Sequence, residues 1–334
     1  MSVEPSWDLY RTFLSVLEHG SLSAAARELG LTQPTVGRHV DALEHAVGAQ
    51  LFTRSPAGLL PSEIALELGP YAQTLAATSA SLLRAASGKR GEVAGTVRVS
   101  ASEVIAVEVL PPILASLADA HPTLCIELSA SDAVEDLLHR EADVAVRMTE
   151  PSQEALIARR IGDILVGLFA HRRYLERHGV PRTTAELAGH RLVGFDRQTA
   201  YIRAMSTRYP IFEGLTFSFR ADSNLAQLAA IRAGLGIGFC QCGLAVDDPD
   251  LVRVLPRAFE VPLGTWVAMH EDLKGSPRCR ATFDALVAGL EAYRTKAAVE
   301  AIPLIPRRAG KPARVRQSGQ PRRRRGQART ALSG

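Results

Sequence analysis

Apolar residues recur at helical spacing through the first quarter of the chain. Leu9, Phe13, Val16 and Leu17 fall at i, i+4, i+7 and i+8, one buried stripe on a first helix. Leu22, Ala25, Ala26 and Leu29 repeat that spacing between Ser21, suited to an N-cap, and Gly30, suited to a C-terminal stop. Thr32 then caps a third helix, with Pro34 in its first turn and Val36, Val40, Leu43 and Val47 as its apolar face. The short joint Gly30-Leu31-Thr32 predicts a helix-turn-helix, in which the small alanines let the next helix pack close. After it, QLFTRSPAGLLPS sets turn residues between apolar flanks and predicts a β-hairpin wing. The following helix carries Ile64, Leu68, Tyr71, Leu75, Thr78 and Leu82 in alternating steps of four and three. That is a heptad seam of the kind that joins two helices, and burial against the chain's own body is the competing reading.

The period changes after the stretch Ser87 to Gly91. TVRVSA, CIELSA, DVAVRM, ILVGLFAH, HRLVGF, LTFSFRA, LGIGFC and TWVAMH read as short strands separated by helical segments, the rhythm of an α/β sheet. A last helix over about 277–292 keeps Phe283, Leu286, Val287 and Leu290 apolar. The expected organisation is a helix-turn-helix module over 1–61, a linker helix over 62–90, an α/β region over 91–302 and a basic, disordered tail over 303–334.

A length of 334 residues suits two domains with full cores. The net charge of +4 hides an asymmetry. Residues 303–334 hold ten of the 39 basic side chains and no acid, which leaves 29 basic against 35 acidic residues in 1–302. The basic character therefore belongs to the tail and does not by itself mark the folded part as nucleic-acid binding. The longest apolar stretch, Leu225 to Cys240, contains Arg232 and three glycines and is too short to span a bilayer. The beginning MSVEPSWD lacks the order of a secretory signal, and four cysteines without framework spacing suit a reducing cytoplasm.

The stretch from Leu9 to Ser62 strongly resembles the winged helix-turn-helix of LysR-type transcriptional regulators. The matching signposts are Phe13, Gly20-Ser21, Ala24-Ala25-Ala26, Leu29, Thr32-Gln33-Pro34, Val36, Arg38, Leu43-Glu44, Gly48, Leu51-Phe52, Arg54 and Leu60, in order and at the family's spacing. The part from Gly95 to about Tyr293 resembles the family's effector domain, two α/β lobes like those of periplasmic binding proteins. Two departures stand out: Gly37 where the family commonly has Ser, and the step Ser62 to Ala65 at the start of the linker helix. The resemblance implies a homodimer through the linker helix, commonly assembled into a tetramer, bound to double-stranded DNA and able to contact RNA polymerase.

A helix laid in the major groove offers its first two turns to base edges, which here are Gln33, Pro34, Thr35 and Arg38. Gln suits adenine, Arg suits guanine, and Thr or Pro packs on a thymine methyl. Arg54 in the wing is placed for phosphate or the minor groove. For His39 and His45 no contact with a ligand or base is expected. Residues 1–90 hold seven basic and eight acidic side chains, so one module alone should hold DNA weakly and pairing should be needed.

Ligands of alternating α/β domains lie beyond the carboxyl ends of the strands. That rule brings Ser100, Ser102, Ser131 and Arg147 from the first lobe towards Phe195, Asp196 and Ser223 from the second. Hydroxyls at helix starts favour a small organic anion, although any one of these residues also suits a plain N-cap. Arg147 can serve a carboxylate ligand or a neighbouring acid. Cys240-Gln241-Cys242 suggests a redox pair, but a cysteine ending an apolar strand more often fills core. No metal spacing, nucleophile elbow or phosphate loop is found, so neither a cofactor nor catalysis is expected. The expectation is a cytoplasmic, effector-responsive regulator without membrane contact. The alternative is a solute-binding protein or an enzyme on a similar two-lobed fold.

Overall fold

The computed structural model describes residues 4–56, 58–87, 91–131, 142–151, 155–197, 199–209, 211, 214 and 216–299. The basic segment 303–334 lies outside the described residues.

Three helices, α1 (Trp7–His19), α2 (Leu22–Leu29) and α3 (Gln33–Val47), enclose a core of Phe13, Val16, Ala25, Ala26, Val36, Val40 and Leu43. Each ends on a left-handed glycine, Gly20, Gly30 and Gly48, with φ between 60° and 71°. Ser21 and Thr32 cap α2 and α3 through their hydroxyls, where the sequence puts them. The hairpin pairs β1 (Phe52–Ser55) with β2 (Gly58–Pro61). Gly58 has a φ of 120°, and a Cβ there would stand 2.7 Å from the Gly20 carbonyl, so only glycine lets the wing press on the α1–α2 turn. Glu44 fixes the other end of the wing: its Oε1 accepts from the backbone N–H of Leu51 at 2.7 Å and of Phe52 at 3.1 Å.

The linker helix α4 (Glu63–Ala86) starts on Ser62, whose hydroxyl accepts from Ala65 N and donates to Gln50 O. Small residues Ala65, Gly69 and Ala72 turn to the first module. A Cβ on Gly69 would lie 3.1 Å from Leu17 Cδ2, so the Leu17 side chain packs directly on the backbone of α4.

The α/β region continues with β3 (Gly95–Ala101), a π turn (Ile105–Val109), α5 (Leu110–Ala120), β4 (Leu124–Ala130), β5 (Val144–Arg147) and β6 (Leu156–His171). Then come α6 (Arg172–His178), β7 (Val193–Phe195), α7 (Ala200–Arg208), β8 (Phe219–Ala221) and α8 (Asn224–Arg232). The rest is β9 (Ile237–Gln241), α9 (Cys242–Val246), β10 (Leu251–Val254), β11 (Val261–His270) and α10 (Pro277–Val299). β3 runs parallel to both β4 and β5, and β11 runs antiparallel to both β5 and β6. β9 and β10 attach to the second half of β6, while β7 pairs in parallel with β8 and bridges to β9 through Leu192 and Ile237.

The antiparallel pair β6–β11 therefore belongs to two lobes. Its register slips once, where Thr265 faces Gly162 but Trp266 faces Arg160, leaving Ile161 as the extra residue of a bulge. Gly162 has a φ of 116° there. On one side of the bulge the neighbours are β5, β3 and β4; on the other they are β9 and β10. Two α/β lobes are the expected architecture, here joined by β6 and β11 with one bulge in β6. β10 and the first half of β6 are additions to it.

Candidate nucleic-acid interface and inter-lobe site

The first turns of α3 are held from both sides. Thr32 Oγ1 lies 2.8 Å from Thr35 Oγ1, and Arg38 Nη2 donates to Thr35 Oγ1 at 3.4 Å. Gln33, Pro34 and Arg38 are exposed and Thr35 is half-buried, while Val36, Val40 and Leu43 on the opposite face are inside. Arg54 is exposed on β1, across from Leu59. A Cβ on Gly37 would meet Leu22 at an ordinary 3.9 Å, so the backbone does not require glycine at that position. His39 ties α3 to α1. Its Nδ1 is 2.9 Å from Thr12 Oγ1, and since that hydroxyl donates to Asp8 O, the proton between them belongs to the imidazole.

Along α4 two faces lie side by side. Ala65, Gly69 and Ala72 are buried, whereas Ile64, Tyr71, Leu75 and Leu82 are exposed large apolar side chains. Leu68 falls between the two faces and packs partly on the module's own core. Leu66 and Leu83 are exposed as well but off the seam. The far end of α4 is fixed to the α/β region. Arg84 donates to buried Asp143, which also accepts from Arg98 N at 2.9 Å, and Ser87 Oγ accepts from Thr96 N at 3.1 Å.

In the α/β region, parallel pairing brings the carboxyl ends of β3, β4 and β5 together. Ser131 N donates to Ala101 O at 2.8 Å, and Arg147 Nη2 donates to Ser100 Oγ at 2.8 Å. Ser100 and Arg147 are buried, and Ser102 and Ser131 are half-buried. In the other lobe Phe195 pairs with Ala221, and Asp196 N donates to Ala221 O at 3.2 Å, so Phe195, Asp196 and Ser223 also gather at one sheet end. Phe195 stacks on Phe239 with centroids 6.0 Å apart. Ser223 is the N-cap of α8 and has a second task, described next.

The residue that links the two groups was not singled out in the sequence. Glu103, next to Ser102, accepts at Oε2 from Ser223 Oγ and from Asn224 N, both at 3.1 Å. Its only sequence signal is an acid in the first turn after the Ser100–Ser102 strand end. Glu108 follows it and takes Arg232 in a two-pronged pair, both N–O distances 2.8 Å. Arg232 also reaches Asp248 at 3.4 Å, and the hydrogen bonds it donates to Glu108 hold its guanidinium even more firmly protonated than usual.

Cys240 and Cys242 are buried, and burial pushes both thiols up, Cys240 to about 12. Neither is a ready thiolate, and this agrees with the core-filling reading over the redox pair. No group of His, Cys, Asp and Glu able to hold a metal occurs among the described residues. No helix among them is long and apolar enough to cross a membrane.

Comparison with known proteins agrees with this geometry. Residues 7–66 match a family model described as a bacterial regulatory helix-turn-helix protein of the lysR family, and residues 90–291 match the LysR substrate binding domain. The probable HTH-type transcriptional regulator LtrA of Klebsiella pneumoniae is 26% identical over 254 residues, covering 73% of this chain and 81% of its own. The HTH-type transcriptional regulator CrgA of Neisseria meningitidis serogroup C is 29% identical over 241 residues, covering 71% and 79%. The fold matches full-length CbnR in complex with its target DNA at a TM-score of 0.60 and 21% identity, over 86% of this chain and all of that one.

Proposed function

The chain belongs to the LysR family of transcriptional regulators, and on that premise we propose that it reads double-stranded DNA as a homodimer under the control of a small anionic effector. The family consists of regulators, not enzymes, so the enzyme alternative falls. A solute-binding protein has no use for a helix-turn-helix module. The observation that carries the reading is the division of α3, with Gln33, Pro34, Thr35 and Arg38 turned outward from a core of Val36, Val40 and Leu43.

In this reading Gln33 and Arg38 contact base edges, Pro34 and Thr35 pack on thymine methyls, and Arg54 holds the backbone from the wing. Ile64, Tyr71, Leu75 and Leu82 pair with the same face of a second chain, with Leu68 contributing at the edge. A dimer supplies two half-sites, and a tetramer doubles them again. The effector lies between Ser100, Ser102, Ser131 and Arg147 on one lobe and Phe195, Asp196 and Ser223 on the other. The protein works in the cytoplasm, and RNA polymerase is the expected further partner.

Fluorescence anisotropy on operator and scrambled duplexes tests the reading. Arg38→Ala should weaken operator binding by about 1–3 kcal/mol and scrambled binding far less, as expected for loss of a base-reading side chain. Equal losses on both duplexes would reduce Arg38 to a phosphate contact.

A further inference from the structure

The two lobes are joined covalently by β6 and β11, and β6 bulges at Ile161 and Gly162, opposite Thr265 and Trp266 of β11. A bulge bends the strand that carries it, which makes this level of the pair a natural hinge. What fixes the angle must come from groups that cross between the lobes. Besides a continuous apolar cluster running from Val99 and Val109 to Leu228 and Ile231, and α10, which packs on α5 and whose Tyr293 Oη donates to Gln241 Oε1 of β9 at 2.9 Å, two carboxylates do so.

Both arise from the turn after β3 and both end on α8. Glu103 sits at the N-terminus of α8, where Ser223 Oγ and Asn224 N donate to it and the helix dipole favours its charge. Glu108 grips the other end of the same helix through the two-pronged pair with Arg232. In a regular α-helix, residues five apart point about 140° away from each other, so one helix could not present both acids to one partner. The π turn over Ile105–Val109 removes the mismatch. Leu110 N donates to Ile105 O, five residues back, and this wider turn brings residues five apart nearly into line. Pro111 and Pro112 explain the turn, because they lack the N–H groups that would carry an α ladder back to Val107 and Glu108.

We propose that Glu103 and Glu108 form a two-point clamp that holds α8, and with it the second lobe, against the first, so that the π turn sets the closure of the effector domain. The proposal rests on the effector reading only for its consequence: a ligand that enters between the lobes shifts closure by working with or against these contacts. The clamp itself is tested without any ligand.

Spin labels at Asp119→Cys on α5 and Glu176→Cys on α6, both exposed, report the distance between lobes by pulsed electron resonance in the full chain. Cys125→Ser removes the exposed native thiol, and the buried cysteines stay unlabelled. Doubly labelled chains diluted into unlabelled ones confine the reading to distances within one chain. Glu103→Ala combined with Glu108→Ala should move the distance distribution outward by several ångströms and widen it. The pair Glu103→Gln and Glu108→Gln, which keeps side-chain volume, should do the same to a smaller degree and serves if the alanine pair does not fold. A distribution unchanged in the folded variant would overturn the clamp. That failure is separate from failure of the regulator reading, which the Arg38 experiment decides.

Discussion

Arg84, in the last turn of α4, donates its Nε to Asp143 Oδ2 at 3.0 Å, with 9% and 3% of the two side chains left in solvent. Asp143 also accepts from the backbone of Arg98 in β3, so one carboxylate ties the linker helix to the first strand of the effector domain. Breaking a buried pair by removing one partner leaves a charge without compensation and costs about 3–5 kcal/mol. Arg84→Met should therefore lower the stability of the α/β region by about that amount in urea unfolding followed by circular dichroism. On the proposed reading it should also loosen the coupling between the effector cleft and the DNA-binding module. A loss below 1 kcal/mol would mean that the pair behaves like a surface bridge and does not hold the joint.

The exposed seam on α4 makes a second prediction. Leu75→Arg places a charge among Ile64, Tyr71 and Leu82, which a paired helix would have to desolvate. The variant should sediment as a monomer and lose operator binding. Leu66→Arg, exposed but off the seam, should keep both properties. Unchanged mass for Leu75→Arg in sedimentation velocity would place the dimer contact elsewhere.

Much of this was legible in the sequence, for definite reasons. The helices of the first module carry both kinds of punctuation, polar caps at Ser21 and Thr32 and left-handed glycines at Gly20, Gly30 and Gly48, so pattern and boundary agree. The strand ends were readable because parallel pairing brings Ser102, Ser131 and Arg147 to one edge without further information. The first half of β6 was not, because Arg159 and Arg160 lie exposed in it and interrupt any apolar run. Leu68 shows the limit of heptad counting: α4 has a buried face and an exposed apolar face at adjacent angles, and one-dimensional spacing does not separate them. Glu103 and Glu108 were invisible for a similar reason. Five apart, they look divergent until the π turn is known.

The thiols predict a pH dependence. Burial raises Cys240 from an ordinary 9.0 to about 12 and also raises Cys242 and Cys279. Acids whose folded value lies above the unfolded one favour folding while protonated. Their contribution is complete below the unfolded value and is lost as pH rises through the folded one. Stability should therefore be flat to about pH 9 and fall between there and pH 12. Chemical denaturation across that range measures it. At pH 8 a thiol reagent should label only exposed Cys125 in the native protein, and peroxide should leave DNA binding unchanged. Rapid labelling of Cys240 or Cys242 would revive the redox reading.

The basic tail has to be judged from its sequence. Ten arginines and lysines without an acid, spaced by Pro, Gly and Gln over 303–334, suit a phosphate backbone. The remaining chain carries more acid than base, and its first 90 residues hold seven basic against eight acidic side chains, so DNA gains little attraction from the folded part. Removing 303–334 should thus weaken operator and random duplex alike. Each lost phosphate contact should also make the slope of log K against log salt shallower by about 0.9. Discrimination between the two duplexes should persist, because base reading is assigned to Gln33 and Arg38 and the tail adds only charge. If the salt slopes with and without the tail coincide, the tail does not touch the duplex, and pairing through α4 must supply the missing affinity alone.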